Sequence, residues 1–86
     1  MNIQEELDKF RDRLLQQRDE LRVQLNLAKM EVREEWEETE EKLGHFKSKL
    51  EDVSGEAKAA SEDVWSSVKA LGEEIERAYK RIKSRL

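Results

Sequence analysis

The sequence predicts an all-α protein folded as a long antiparallel helical hairpin that self-associates into a coiled-coil-like bundle. Three observations carry that expectation: a helix-forming composition, one apolar period running the length of the chain, and charge blocks that match when the chain doubles back. Of 86 residues, 44% are charged and 36% apolar, with no Pro and only three Gly. Ala, Glu, Lys, Leu and Arg supply more than half of the chain, the composition of long helices when an apolar period accompanies it. With no Cys there is no disulfide framework, thiolate zinc site or Cys nucleophile. Three Gly cannot furnish a phosphate-cradling loop together with the turns of an α/β domain.

The period appears on stepping along the chain by three or four residues. It runs Ile3, Leu7, Phe10, Leu14, Arg18, Leu21, Leu25, Ala28, Val32, Trp36, Thr39, Leu43, then Phe46, Leu50, Val53, Ala57, Ala60, Val64, Val68, Leu71, Ile75, Tyr79, Ile82 and Leu86. Only Arg18 and Thr39 interrupt it. Its mean step of about 3.6 residues equals one helical turn, so the stripe stays on one side of a straight helix. Val23, Leu27 and Met30 miss the stripe and point the other way, which makes residues 21–32 apolar on two faces. A helix segment with two apolar faces touches more than one neighbour, so these three form a candidate second contact face.

Helix boundaries follow from caps. Val53 closes an apolar run, and Ser54–Gly55 suit the end of a helix, where Gly accepts a left-handed conformation. Ser61 followed by Glu62 and Asp63 reads as an N-cap with acids in the first turn. Gly44 has no comparable helix start after it. The expected elements are therefore a helix over about 3–53, a loop at 54–61 and a helix over about 62–86, in a single domain. Charge gives an independent register. Residues 31–43 hold seven acids against two bases, and residues 77–86 hold five bases and no acid. A hairpin centred on residue 58 places residue n opposite 116 − n and lays the basic tail along Glu31 to Glu38. The competing arrangement is one continuous amphipathic helix about 129 Å long, which the unbroken phase of the stripe across 54–61 favours.

In the hairpin, about 27 residues of the first helix project beyond the second. Ile3, Leu7, Phe10, Leu14, Leu21 and Leu25 then form a candidate self-association interface, covered by a second copy or another helical partner. Trp36, Trp65 and Tyr79 are candidate partner anchors, since aromatics bordering an apolar face serve that role.

No constellation for chemistry emerges. His45 has Glu41 and Glu37 on its own helix face, but Lys42 stands where a Glu-x-x-His metal motif needs its Glu. The serines have no general base at a useful spacing. The expectation is a non-enzymatic self-association or protein-interaction module (adaptor, spacer or subunit) without cofactor, metal or nucleic-acid partner. The alternative is a peripheral lipid-surface protein using its amphipathic helices, with the basic tail and Tyr79, Ile82 and Leu86 as first contact. The polar start Met1–Phe10 and the lack of a long apolar run point to a cytoplasmic setting, with peripheral envelope association as the other possibility.

The stretch KAASEDVWSSVKALGEEIERAYKRI, following a Glu/Lys-rich helix, resembles the small uncharacterised bacterial coiled-coil domain proteins. In these an A-S-x-x-x-W segment, here Ala60, Ser61 and Trp65, opens a C-terminal amphipathic helix. The resemblance covers about residues 25–86. It implies a long helix followed by a shorter one, no activity and no cofactor, in a bacterial cytosolic or envelope-associated setting.

Overall fold

The first expected helix is two helices. The computed structural model describes residues 3–55 and 62–86, with the backbone alone for Ile3, Gln4, Ser54 and Gly55. Helix α1 spans Ile3–Gln24, a single 3₁₀ turn occupies Leu25–Leu27, α2 spans Met30–Gly55 and α3 spans Glu62–Ser84. Helix α2 continues through Ser54 and Gly55, the first two residues of the expected loop; residues 56–61, with the proposed Ser61 cap, lie outside the described residues.

The helix expected over 3–53 breaks at residues 25–29 because folding back buries more than the unbroken helix keeps. Ala28 is extended, with φ −78° and ψ 148°, and its N–H donates to the Leu25 carbonyl at 3.0 Å. The Lys29 carbonyl then accepts from the N–H groups of Val32 and Arg33, opening α2. Arg33 Nη2 donates to the Asn26 carbonyl at 3.0 Å and ties the turn to the new helix. The break costs a few backbone hydrogen bonds, each worth about 1 kcal/mol net. It allows Leu7, Phe10, Leu14 and Leu21 to be buried, at about 1.5–3 kcal/mol for each fully buried large side chain.

The chain thus runs up, down and up. Between α2 and α3, Arg81 Nε meets Glu35 Oε1 at 3.0 Å, Lys42 Nζ meets Glu74 Oε1 at 2.7 Å, and Arg85 lies 3.9 Å from Glu31. All three pairs obey the n to 116 − n register read from the charge blocks, and they exclude the continuous 86-residue helix. The Lys42 ammonium also holds the Glu74 carboxyl below its usual range, chiefly through their hydrogen bond. Helix α1 runs parallel to α3: Glu6 pairs with Lys69 and Arg13 with Glu76, each at 3.6 Å and each 63 residues apart. Acids in the first turn of α3 (Glu62, Asp63) and bases in its last (Arg81, Lys83) suit the helix dipole.

The core lies along the common face of the three helices. Phe10 of α1 and Phe46 of α2 stack at 6.2 Å between ring centroids, tilted by 52°, and both reach Gly72 of α3. A Cβ on Gly72 would sit 2.9 Å from Phe46 Cε2, so the absent side chain is what lets α3 come this close. Trp36 and Tyr79 form a second aromatic layer at 5.8 Å. In α3 the inward phase is Trp65, Val68, Gly72, Ile75, Tyr79 and Ile82, so the core position at its start belongs to Trp65, with Val64 exposed. Thr39 is buried, its hydroxyl donating to the Glu35 carbonyl at 2.7 Å. The molecule measures 45 × 20 × 16 Å.

Candidate docking surface

Folding α1 back reassigns the residues that sequence reasoning offered to a partner. Leu7, Phe10, Leu14 and Leu21 are buried in the chain's own core, and Leu25 packs against it. A second copy is therefore not required to cover this stripe; α3 and α2 already do. Ile3 opens α1, and its side chain is outside those described. Trp36, Trp65 and Tyr79 are likewise core residues, so none stands at a rim as an anchor.

The second face behaves differently. Val23 is 77% exposed, Leu27 94% and Met30 76%, and all three sit on or beside the α1–α2 turn. The reason lies in the two-faced stretch. Leu21, Leu25, Ala28 and Val32 supply its inner face, and the 3₁₀ turn with its extended Ala28 rotates the other apolar residues outward. Soluble proteins tolerate single exposed aliphatics, whereas neighbouring ones mark a contact surface.

The same end of the bundle receives the end of α3. Residues 22–30 contribute Arg22 and Lys29 without an acid, and residues 80–86 contribute Lys80, Arg81, Lys83 and Arg85 without an acid. Arg81 and Arg85 are committed to Glu35, each at 3.0 Å. Arg22, Lys29 and Lys83 form no ion pair among the described residues and leave their charge to solvent. The tip is thus apolar at its centre, with bases outnumbering the nearby acids, Glu20 beside Val23 and Lys83 and Glu31 next to Met30, on a chain whose net charge is −4. Val23, Leu27 and Met30 were visible in the sequence as a face. Sequence reasoning misses Arg22 and Lys29, whose positions flanking the apolar residues are the available signal.

Beside the tip a cleft of about 580 Å³ opens between α1 and α3, lined by Gln17, Glu20, Leu21, Val23, Gln24, Tyr79, Lys80 and Lys83. Among the described residues, two buried polar atoms, Gln17 Oε1 and the Tyr79 hydroxyl oxygen, have no hydrogen-bond partner. Burial, reinforced by the Glu40 carboxylate, pushes the Tyr79 phenol well above its ordinary value, so it is a neutral hydroxyl at any physiological pH. Further along the α1/α3 seam a second groove carries both signs of charge over Phe10, with the Arg13 guanidinium 4.9 Å from that ring's centroid.

His45 is exposed on α2, and among the described residues no three His, Asp or Glu side chains converge as a metal would need. No helix among the described residues is long and apolar enough to cross a membrane. No protein-family model, curated protein or solved structure matches the chain.

Proposed function

We propose that the protein is a non-enzymatic docking module, a small helical bundle that engages a partner through the α1–α2 turn. The observation that carries this reading is the exposure of Val23, Leu27 and Met30 together, each by more than 70%, on a chain that buries most of its other described large apolar side chains. Three helices converge their apolar faces on one core, so nothing in the fold needs this trio outside, and their exposure has an energetic cost that only a partner removes. Acting as an adaptor, spacer or subunit requires no more than such a surface held on a rigid rod. The resemblance to small bacterial coiled-coil domain proteins agrees, since it implies neither activity nor cofactor. Self-association, if it operates, uses this tip, because the stripe from Leu7 to Leu21 is occupied within the chain.

The test separates folding from docking. Leu27→Asp should leave the circular dichroism spectrum and the urea midpoint unchanged, because Leu27 is 94% exposed. The same change at Leu14, fully buried in α1, should abolish the folded spectrum. A loss of stability at Leu27 comparable to that at Leu14 would assign the turn to the core and remove the docking surface.

A further inference from the structure

We infer that the partner of this tip is an anionic phospholipid surface, met end-on. The inference rests on the docking reading and adds the identity of the occupant. Charge is the first argument. Arg22, Lys29 and Lys83 flank Val23, Leu27 and Met30 and form no ion pair among the described residues, so the apolar residues approach a surface together with an excess of positive charge. A symmetric contact with a second copy would bring these bases against themselves, and like charges across an interface oppose association. Nucleic acid satisfies the charge but offers no apolar layer to receive Leu27 and Met30.

Area is the second argument. The bundle is slender, 20 × 16 Å in its two shorter directions, so the contact its end can make is small. A protein partner in a stable interface of ordinary size buries about 800 Å² on each side, from about 20–30 residues, of which three exposed apolar side chains at one turn supply a small part. A bilayer makes no such demand. A few apolar side chains enter the headgroup–acyl boundary while basic side chains reach phosphates, and binding grows with both contributions.

The acidic face of α2 sets the orientation. Lying flat on its α2 side, the rod would press Glu34, Glu38 and Glu41 against anionic headgroups. Standing on its tip, it holds Glu38 and Glu41 about 12 Å or more beyond Met30, at 1.5 Å per residue, outside the screening length of about 8 Å, and leaves Glu34, at about 6 Å, as the one acid of the three within it. Glu31 and Glu35, nearer the tip, are engaged by Arg85 and Arg81.

Vesicle flotation tests the inference with the full chain at near-physiological salt. Phosphatidylcholine vesicles containing phosphatidylserine should bind at least about tenfold more protein than pure phosphatidylcholine vesicles. Leu27→Asp, and separately Arg22→Glu with Lys29→Glu, should each lower binding to the anionic vesicles at least about tenfold while the circular dichroism spectrum stays helical. A spin label at Asn26 should become shielded from aqueous relaxants on vesicles, and one at His45 should not. No binding to anionic vesicles, equal binding to neutral ones, or binding indifferent to Leu27 overturns the inference. If vesicle binding fails but the chain forms oligomers that Leu27→Asp dissolves, the lipid assignment falls and the docking module stands. If neither association occurs, both fall.

Discussion

The guanidinium of Arg18 in α1 forks onto the carboxylate of Glu40 in α2: Nε donates to Oε1 at 2.6 Å and Nη2 to Oε2 at 2.8 Å. Arg18 was the one charged residue on the apolar stripe, an anomaly in a single long helix. In the bundle it is the clamp that fixes α1 against α2. The bond to Glu40 raises the Arg18 pKa above its usual value against the opposing effect of burial. Both side chains are only about a quarter to a third exposed, at 25% and 31%, so solvent screens the pair incompletely.

A double-mutant cycle with Arg18→Met and Glu40→Gln should therefore give a coupling of about 1 kcal/mol in urea unfolding. Each single variant should be less stable than the parent, because it leaves a half-buried partner unpaired. Additive effects would show that the fork is incidental to the docking of α1.

The two glycines inside helices should respond in opposite directions to Ala. Nothing lies within 4 Å of a Cβ built on Gly44, so Gly44→Ala should gain about 0.5–1 kcal/mol from helix propensity alone. A Cβ at Gly72 meets the fully buried Phe46 ring at 2.9 Å. The overpacking cost of about 1–3 kcal/mol should match or exceed the propensity gain, so Gly72→Ala should not stabilise and should unfold at lower urea than Gly44→Ala. Equal stabilisation at both sites would contradict the close approach of α3 to Phe46.

Tyr79 is the only tyrosine, so absorbance near 295 nm follows its ionisation alone. Its phenol is pushed up in the folded state, and the unfolded phenol ionises near pH 10. The sign follows by linkage: the contribution of the buried neutral phenol is complete below the unfolded value and is lost as pH rises toward the folded one. Alkaline titration should show no native phenolate at about pH 10–11, with ionisation appearing together with loss of helical signal. A smooth titration near pH 10 in a fully helical protein would place Tyr79 in water.

The hairpin was legible in the sequence because two kinds of signal agreed. The charge blocks specified the register that Glu35–Arg81 and Lys42–Glu74 now display. The apolar period identified nearly every core position, with Trp65 replacing Val64 at the start of α3. The break at 25–29 was hidden for a physical reason. The stripe passes through Leu25, Ala28 and Val32 without losing phase, and no Gly, Pro or side-chain cap marks the end of α1. Tertiary burial of α1, and not local propensity, decides the turn. Its traces were indirect: Val23, Leu27 and Met30 on the wrong face, and Arg18 on the right one. The same blindness placed Leu7, Phe10 and Leu14 on an intermolecular interface, because one long helix had nothing else to cover them.

Everything said of the tip depends on α1 folding back beside α3. The chain has no Cys, so single spin labels can be placed at Asp12→Cys and Arg77→Cys, both exposed. The doubly labelled chain, diluted with excess unlabelled protein, is then measured by pulsed electron–electron resonance. Parallel packing of α1 on α3 brings the two helix axes 8–10 Å apart, so the labels should lie within about 20 Å. If α1 instead continued straight from α2, residue 12 would lie 27 residues beyond position 39, which faces Arg77, and the distance would be about 40 Å at 1.5 Å per residue. The short distance surviving dilution is the predicted result; a long distance alone would return Leu7, Phe10 and Leu14 to solvent or to a second copy and dissolve the α1–α2 turn as a surface.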